Sequence, residues 1–260
     1  MRDVLEALAA GEVTVDEAEA ELAGYVTGDA GRFDAARETR RGVPEAVLAE
    51  GKTPTETAAL AETALETTGR TIVTRLDEGG IVAVRERLSE AHPDAEIEVF
   101  DRARLLVAHA ADFEPPSVDA TVGVVSAGTA DAGPAGEAAV LACEMGATVD
   151  RLDDVGVASI ARVLDHLDTL RAADVLVVAA GREGALPTVV AGLVDVPVIG
   201  LPVASGYGHA GDGEAALFGM LQSCTVLSVV NVDAGFVAGT QAGLIARTVA
   251  DARGETAETP

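Results

Sequence analysis

The chain has 260 residues, 48% of them hydrophobic, and a formal net charge of −25 with an isoelectric point near 4.3. This hydrophobic content is enough for a substantial core, so most of the chain is not intrinsically disordered. The charge excludes nucleic acid and anionic membrane as partners, because phosphate contacts need clustered Lys and Arg side chains. Lys52 is the only lysine among 18 basic residues. Such an acidic, lysine-poor composition predicts adaptation to high salt, where ions screen self-repulsion.

The two cysteines, Cys143 and Cys224, lie far apart and form no CxxC pair, so neither a disulfide framework nor a zinc site is predicted. The chain does not begin with a charged segment followed by a short apolar run, and it has no apolar run long enough to span a membrane. We therefore expect a soluble, cytoplasmic protein.

The first half of the chain predicts a small domain with helices and strands. Apolar residues at helical spacing in RDVLEAL predict a first helix, and Thr14 with Glu17 three residues later predicts the start of a second. Thr53 and Pro54 are expected to begin a long Ala/Thr/Glu-rich helix. Further on, strands are predicted at 71–76, 95–100 and 104–109, with a helix over about 78–90.

Pro115 and Pro116 lie at the centre of a segment that reads as a linker. The boundary placed there gives an N-terminal domain over 1–115 and a C-terminal domain over 116–260. From Ala120 onward, short apolar runs without strict alternation predict strands that are covered on both faces. Helices are expected between and after them, at about 133–146, 157–171, 184–194, 213–223 and 237–252. Five such units predict a flavodoxin-like, doubly wound parallel sheet that binds ligands at the carboxyl ends of its strands.

Polar, glycine-rich loops follow the first two of these strands. In SAGTADAGPAGE, backbone N–H groups with the hydroxyls of Ser126 and Thr129 could cradle a phosphate at a helix N-terminus. Asp131 in the same loop is either a helix N-cap or a ribose or metal contact. In the next loop, Asp153 and Asp154 either hold magnesium or cap the following helix.

The last three loops add further polar groups. AAGREGALP places Arg182 and Glu183 beside flexible glycines, where the alternative is a solvated turn. PVASGYGHAGDG is glycine-rich enough to predict a loop that covers the substrate. NVDAGF places Asn231 and Asp233 at the end of the last strand.

Two nucleotide-binding motifs are absent. EGKT at 50–53 has the ending of a Walker A motif, but Ala46 stands where the first glycine is needed, so a P-loop is not predicted. No GxGxxG follows a predicted strand, which excludes an ordinary Rossmann dinucleotide site.

Six segments in order together resemble the LarB family: VGVVSAGTAD, LDDVGVAS, AAGREGALPTVVAGLVDVPVIGLP, SGYG, GEAALFGMLQSC and VVNVDAG. LarB is the carboxylase/hydrolase that begins nickel-pincer cofactor biosynthesis. Its C-terminal domain is similar to aminoimidazole ribonucleotide carboxylase of purine biosynthesis. The resemblance is close from residue 120 to about 250. It extends into the first half, where FDAARETRRGVPEAVLAEGKT looks like that family's own signature.

The resemblance implies a reaction on nicotinic acid adenine dinucleotide. The pyridinium ring gains a second carboxyl group from carbon dioxide or bicarbonate. The phosphoanhydride is hydrolysed to AMP and pyridinium-3,5-biscarboxylic acid mononucleotide. The dinucleotide is the substrate, so no organic cofactor is expected, and Mg²⁺ is expected to assist the hydrolysis. The family also implies an octamer or another higher homo-oligomer.

Cys224 matches the family's nucleophile, and Glu183 is the candidate base. A pyridinium is electron-poor, but thiolate addition at ring carbon 6 turns carbon 5 into an enamine-like nucleophile, from which a base later removes a proton. Two considerations oppose this role for Cys224. A lone cysteine is more often a small buried hydrophobe. The C-terminal end of a helix also disfavours a thiolate, so activation must come from the cationic substrate, an arginine or His209.

The resemblance implies substrate contacts in the loops at the strand ends and in the N-terminal signature. Asp153 or Asp154 is the candidate metal ligand. Arg37, Arg41, Glu45 and Lys52 of the signature either reach the substrate or pack the two domains together. The substrate-binding candidates are Ser126, Gly128, Thr129, Asp131, Gly181, Gly184, Ala185, Leu186, Pro187, Gly206, Tyr207, Gly208, Asn231 and Asp233.

The chain departs from the family pattern at four positions. Ala161 and Ala234 stand where histidine and asparagine are usual, Arg182 replaces a common methionine, and Gln222 replaces asparagine. These departures leave the nucleophile and the base in place. They put the details of ring and phosphate recognition in doubt and leave room for a shift in substrate.

Two other functions stay open on the sequence. The first is aminoimidazole ribonucleotide carboxylase or mutase activity, which in that family uses a histidine as proton carrier. None of His92, His109, His166 or His209 lies in an obviously matching loop. The second is a non-catalytic nucleotide-binding or regulatory module, because the flavodoxin-like architecture supports many functions.

Overall fold

The structure, a computed structural model, describes residues 2–11, 18, 22, 24–28, 30–206 and 208–257. These residues divide into two compact units on either side of the peptide bond between Glu114 and Pro115. Within the described ranges, no helix is both long enough and apolar enough to cross a membrane.

The first unit is a four-stranded sheet packed against two long helices. Its helices are α1 (Arg2–Ala10), α2 (Arg37–Arg41), α3 (Pro54–Thr68) and α4 (Glu78–Ala91). Its strands are β1 (Tyr25–Gly28), β2 (Gly31–Asp34), β3 (Val47–Leu48), β4 (Arg70–Thr74), β5 (Glu96–Phe100) and β6 (Leu105–His109). The sheet order is β3-β4-β6-β5, with β3 parallel to β4 and the other pairs antiparallel. Strands β1 and β2 form a separate antiparallel hairpin that the sequence did not predict.

Helix α3 begins where the sequence predicts. The Glu56 N–H donates to the Thr53 hydroxyl at 3.3 Å, the Thr53 N–H donates to the Glu56 carboxylate at 2.8 Å, and Pro54 occupies the first turn. This capping box satisfies two N–H groups that have no partner inside the helix. Gly69, at φ +74°, ends the helix. The start of the second helix, expected at Thr14 and Glu17, lies outside the described residues, while Ala18 and Leu22 further along are helical.

The second unit contains a five-stranded parallel sheet, which confirms the predicted fold class. The strand order is β11-β10-β9-β7-β8, the flavodoxin-like order. The strands are β7 (Thr121–Ser126), β8 (Thr148–Leu152), β9 (Val175–Ala180), β10 (Val198–Pro202) and β11 (Ser228–Val229). The helices are α5 (Ala132–Glu144), α6 (Ile160–Leu164), α7 (Leu167–Ala172), α8 (Ala185–Ala191), α9 (Glu214–Leu221) and α10 (Gly235–Ala257).

Two elements of this unit differ from the prediction. The helix expected over 157–171 is two short helices, because the His166 N–H bonds to the Val163 carbonyl three residues back and closes α6 early. The last strand is two residues long, because it lies at the sheet edge and pairs with β10 only through Ile199 and Gly200.

The sheet is buried on both faces, as its apolar strands predict. In β9, Val175 and Val177 lie in a core cluster with alanines of α5 and α10, while Leu176 and Val178 lie in a second cluster with Leu186 of α8 and residues of α6, α7 and α9. This alternation leaves only the two ends of the strands available for a binding site.

Candidate active site

A cleft of about 280 Å³ opens at the carboxyl edge of the parallel sheet. It lies beside the ends of β7 and β9, where the strand order reverses and where doubly wound sheets bind their ligands. Its lining residues come from the loops after β7, β8 and β9 and from the start of α8. They are Ala127, Gly128, Asp131, Gly156, Val157, Ala158, Ala180, Gly181, Arg182, Glu183, Ala185 and Leu186.

Asp131 ties three of the surrounding loops together. It is only 5% exposed, and its carboxylate accepts hydrogen bonds from the Gly128 N–H at 3.0 Å, the Gly181 N–H at 3.1 Å and the Ser205 hydroxyl at 2.5 Å. Asp131 occupies the N-cap position of α5, as one of its two interpretations expects, but its side chain makes no capping bond to that helix. Its oxygens are committed to these loops, so Asp131 positions the cleft.

Glu183 is the exposed carboxylate of the cleft. A tight turn presents it: the Gly184 N–H bonds to the Gly181 carbonyl at 3.0 Å, and Arg182 and Gly184 both have positive φ, +52° and +66°. The Glu183 carbonyl lies against α9, where a Cβ on Gly219 would come within 2.1 Å of it. A general base needs a carboxylate that is held in a fixed position and can reach the substrate, and Glu183 meets both conditions.

The candidate metal ligands are already engaged with cations. Asp153 accepts the Ser126 hydroxyl at 2.8 Å through Oδ1 and pairs with Arg151 at 3.0 Å through Oδ2. Asp154 pairs with Arg162 at 3.2 Å. A magnesium site needs carboxylate oxygens that face the ion, so magnesium at Asp153 or Asp154 would have to displace these contacts with Ser126, Arg151 or Arg162.

Elsewhere in the described residues, one group of donor atoms converges as a metal site would. It consists of Glu62, Glu66 and His92 in the first unit. Glu62 is already paired with Arg87 at 2.6 Å. This group lies outside the unit that carries the cleft.

The loops after β10 and β11 brace one another. The Ala204 N–H donates to Asp233 Oδ1 at 3.0 Å, and the Asp233 N–H donates to the Pro202 carbonyl at 2.9 Å. A Cβ on Gly206 would lie 3.1 Å from the backbone nitrogen of Arg182, so the loop after β10 runs close to the Glu183 turn. Tyr207 lies outside the described residues.

Cys224 lies at the opposite edge of the sheet. It follows α9 and precedes β11, and it borders an apolar cleft of about 610 Å³ with residues near the amino ends of β10 and β11, such as Pro197 and Ser228. Strand β10 alone spans roughly 16 Å between the two edges. No described residue lines both clefts. Within one chain, Cys224 and Glu183 therefore line different clefts, although the roles predicted for them require both to reach the same ring.

The Cys224 thiol itself is exposed, so it is not the small buried hydrophobe of the alternative interpretation. Large apolar side chains near it in sequence are exposed as well: Val226 is 95% exposed, Leu221 59% and Phe218 50%. Apolar groups clustered on the surface of a highly charged protein are typical of an interaction surface.

The other predicted substrate residues fall into three groups. Gly128, Gly181, Ala185 and Leu186 line the cleft. Thr129, Gly208 and Asn231 are exposed in nearby loops. Ser126, Gly184 and Pro187 are buried beneath the surface and support it.

The prediction missed Ala127, Gly156, Val157, Ala158 and Ala180 as cleft residues. The sequence could have indicated these residues, because each lies within six residues after the carboxyl end of a predicted strand.

The residues of the N-terminal signature also separate. Arg37 and Glu45 form an ion pair at 2.7 Å, and Arg41 is exposed. Lys52 lines a cleft of the first unit, and neither Arg37 nor Glu45 contributes to that cleft.

Comparison with known proteins matches both halves of the chain. Residues 25–109 match the model of the LarB/PurE-like N-terminal domain, and residues 121–259 match that of AIR carboxylase. An uncharacterized protein of Methanocaldococcus jannaschii is 34% identical over 254 residues, which cover 95% of this chain and 97% of that protein. Both matched domains occur here in one chain and in the order that the sequence motifs indicate.

Proposed function

Since the chain belongs to the LarB family of carboxylases with an AIR carboxylase-like C-terminal domain, we propose that it carboxylates the pyridinium ring of nicotinic acid adenine dinucleotide and hydrolyses its phosphoanhydride. The products are AMP and pyridinium-3,5-biscarboxylic acid mononucleotide. The dinucleotide and carbon dioxide or bicarbonate are the substrates.

The observation that carries this proposal is the composition of the cleft at the carboxyl edge. Glu183 and Arg182 are its exposed charged residues, and none of the described lining residues is a histidine. Aminoimidazole ribonucleotide carboxylation relies on a histidine as proton carrier, so the cleft favours a reaction in which a carboxylate moves the proton. The N-terminal domain match favours the same choice.

The proposed chemistry uses a thiolate to reverse the reactivity of the ring. The Cys224 thiolate forms a C–S bond at carbon 6, and the electron pair displaced from the ring makes carbon 5 nucleophilic. Carbon 5 attacks carbon dioxide. Glu183 removes the proton from carbon 5, the ring double bond re-forms, and the C–S bond breaks to release the thiolate. Overall, one ring proton is exchanged for one carboxylate.

In this chemistry Cys224 and Glu183 come from different copies of the chain, because within one chain they line different clefts. We propose a homo-oligomer in which the apolar surface around Cys224 packs against a neighbouring copy's carboxyl-edge cleft. Phe218, Leu221 and Val226 supply the exposed apolar area for such a contact. Cys224 then acts on substrate held beside the neighbour's Glu183.

Arg182 is the residue we assign to the anionic part of the substrate. Its guanidinium can bond phosphate or carboxylate oxygens in pairs, which the methionine usual at this position cannot do. Ser126 was a candidate for phosphate contact and Asp131 for a ribose or metal contact, but both are buried and hydrogen-bonded to protein. Asp131 holds the loop that carries Arg182 and Glu183, and Ser126 holds the loop after β8 through Asp153.

The test is mass spectrometry of the products from nicotinic acid adenine dinucleotide and isotopically labelled bicarbonate, with and without magnesium. Wild-type protein should give AMP and a mononucleotide heavier by one labelled carboxyl group. Cys224→Ala and Glu183→Gln should each lower carboxylation at least about a hundredfold, in line with the loss of a nucleophile or a general base. Cys143→Ala is the matched control, because Cys143 is also an exposed thiol.

Carboxylation of aminoimidazole ribonucleotide, with no product from the dinucleotide, would contradict the proposal and assign the protein to the purine reaction. Binding of the dinucleotide without turnover under any of these conditions would indicate a non-catalytic module. Equal loss in Cys143→Ala and Cys224→Ala would remove the nucleophile assignment.

A further inference from the structure

Besides the carboxyl-edge cleft of the second unit, the first unit contains a polar cleft of about 180 Å³ that is lined by three cationic residues. Lys52, Arg75 and Arg104 line it together with the beginnings of helices α3 and α4. We propose that this cleft binds a phosphate group, either as free phosphate or as the terminal phosphate of a nucleotide. The proposal does not depend on the activity of the carboxyl-edge cleft, because every lining residue belongs to the first unit.

The charge balance of the chain makes this convergence informative. The protein carries 43 acidic and only 18 basic residues, and its only lysine is one of the three cations in the cleft. The acidic residues that line the same cleft are Glu50 and Asp77. Asp77 Oδ1 accepts the Gly80 N–H at 2.7 Å as the N-cap of α4. The Glu56 carboxylate also lies close enough to Lys52 to interact with it electrostatically, so three cations and three carboxylates surround the cleft. The cleft is therefore locally balanced in charge within a protein whose net charge is −25.

Two of the three cations are held in strained backbone. Arg75 and Arg104 have φ of +61° and +52°, and among the described residues of the first unit they alone are non-glycine residues with positive φ. Such a conformation costs roughly 1 kcal/mol or more for a residue with a Cβ, and glycine or asparagine would relieve it. The other described residues of this kind all follow strands or precede helices in loops at the carboxyl edge of the second unit. Strained positions therefore cluster at two clefts, and in this one both are arginines.

Backbone contacts fix the direction of the charged groups. Arg104 donates to the Leu76 carbonyl at 2.7 Å and to the Arg75 carbonyl at 3.2 Å, and the Leu76 N–H donates back to the Arg104 carbonyl at 2.9 Å. The Lys52 ammonium donates to the Leu48 carbonyl at 2.6 Å. Carbonyl oxygens orient a cation without neutralising it, so Lys52 and Arg104 retain charge for a bound anion.

The helix ends and the size of the cleft indicate the class of anion. Pro54 and Thr57 of α3 and Gly80 of α4 line it, so two helices of 15 and 14 residues direct the positive ends of their dipoles towards the cleft. Typical small-molecule sites occupy about 300–1,000 Å³. A cleft of about 180 Å³ is suited to a phosphate group, with any attached nucleoside outside it.

The experiment is isothermal titration of the full-length protein with inorganic phosphate, pyrophosphate and AMP, at fixed moderate ionic strength. Wild-type protein should bind at least one of these saturably. Lys52→Gln should weaken that binding at least about tenfold, the loss expected for one charge-assisted hydrogen bond. Lys52→Arg should restore most of it. Tighter binding of AMP than of phosphate would identify a nucleotide phosphate as the ligand, and equal or weaker binding would identify free phosphate.

Arg102→Gln is the matched control. Arg102 is exposed, lies two residues from Arg104 and does not line the cleft, so the substitution changes the net charge equally and should leave the affinity unchanged. Arg182→Gln removes a cation of the carboxyl-edge cleft and should leave the Lys52-dependent binding in place, whatever its effect on turnover. The proposal is overturned by no saturable binding to wild-type protein, by Lys52→Gln with wild-type affinity, or by equal loss in Arg102→Gln.

Discussion

The two carboxylates at the carboxyl-edge cleft differ in what surrounds them, and this difference separates their roles. Asp131 is buried and accepts three hydrogen bonds from protein groups, whereas Glu183 is exposed on a turn held by backbone contacts. A carboxylate already satisfied by fixed donors holds structure, while one that faces the cleft can exchange a proton with substrate.

Asp131→Asn tests the structural role. Asparagine keeps one acceptor oxygen, and its NH₂ group would face a donor such as the Gly181 N–H, so we expect a loss of about 1–3 kcal/mol in the free energy of unfolding. Urea denaturation measures it. Asp168→Asn makes the same change at an exposed position of α7 and should cost less than about 0.5 kcal/mol. Equal stability of the two variants would contradict the role given to Asp131.

The sequence predicted the loops of the site better than the contacts within them. Glycine-rich segments after apolar strands indicated the carboxyl edge, because turn residues and strand patterns are local signals. The Asp131 bonds to Gly181 and Ser205 join residues 50 and 74 positions apart, and no local pattern distinguishes them from an N-cap. In a parallel sheet, the segment between a helix and the following strand lies at the amino edge, so the order of the predicted elements around Cys224 already indicated a position away from the carboxyl-edge loops.

At the scale of elements, the packing of α10 on α5 depends on glycine. A Cβ at Gly239 would lie 2.4 Å from the Ala138 carbonyl oxygen, and one at Gly243 would lie 2.6 Å from the Met145 sulfur. The two helices approach so closely that backbone rather than side chains forms part of their contact. Methionine can adjust its rotamer, but a carbonyl of α5 cannot move without distorting the helix.

Gly239→Ala should therefore destabilise the protein, by about 1–3 kcal/mol, as overpacking of a rigid core does. Gly254→Ala in the same helix is the control, because a Cβ there meets nothing within 4 Å. Alanine at an open helical position should stabilise by up to about 1 kcal/mol. Thermal unfolding of both variants shows whether each substitution lowers or raises the stability of the protein. Destabilisation of similar size in both would show that the close approach of α10 to α5 is not the cause.

The same helix is tied to the amino edge of the sheet by an ion pair. Asp174, just before β9, accepts hydrogen bonds from both terminal nitrogens of Arg253 in α10 and from the Thr121 N–H at 2.8 Å. Burial alone would raise the pKa of Asp174, but the hydrogen bonds from Arg253 and Thr121 outweigh it, and the pKa lies below its ordinary value. The ionised form is thus favoured in the folded state.

The lowered pKa predicts how this pair contributes to stability as pH changes. An aspartate in the unfolded chain has a pKa of about 3.9. The stabilisation is complete above that value and is lost as the pH falls through the lower folded pKa. Between pH 5 and pH 3, wild-type protein should therefore lose more stability than Asp174→Asn, as measured by urea unfolding at each pH. Asp251→Asn, an exposed change in α10, should follow the wild-type profile, and identical profiles for all three proteins would rule out the contribution.

How much of the fold could be predicted depended on how local its signals were. The parallel sheet of the second unit followed from β-branched runs alternating with helical segments, and the start of α3 followed from Thr53, Pro54 and Glu56. The break at His166 and the two-residue β11 were missed, because each depends on tertiary packing or on edge position and not on residue preference. The β1–β2 hairpin was missed within a segment dominated by charge.

At the scale of the whole molecule, the proposed chemistry requires a neighbouring copy of the chain, because Cys224 and Glu183 line different clefts. Val226 and Leu221 are the two most exposed of the large apolar side chains in the described residues, in a chain with a net charge of −25. Covering them with a second copy removes apolar area from water and brings a thiol to a surface that lacks one. Assembly and catalysis would then depend on one interface, and in a monomer the Cys224 thiol and the Glu183 carboxylate would not reach the same substrate.

Mixing two inactive variants tests this shared site. Cys224→Ala retains Glu183, and Glu183→Gln retains Cys224, so co-assembly of equal amounts places an intact pair in roughly one quarter of the sites if each site draws one residue from each of two copies. Carboxylation should recover towards that fraction of wild-type activity when the variants are co-expressed or exchanged, whereas either alone stays inactive. Native mass spectrometry verifies that mixed oligomers form. If mixed oligomers form without recovered activity, each chain must complete its own site, and Cys224 would have to reach Glu183 by a rearrangement of the segment between α9 and β11.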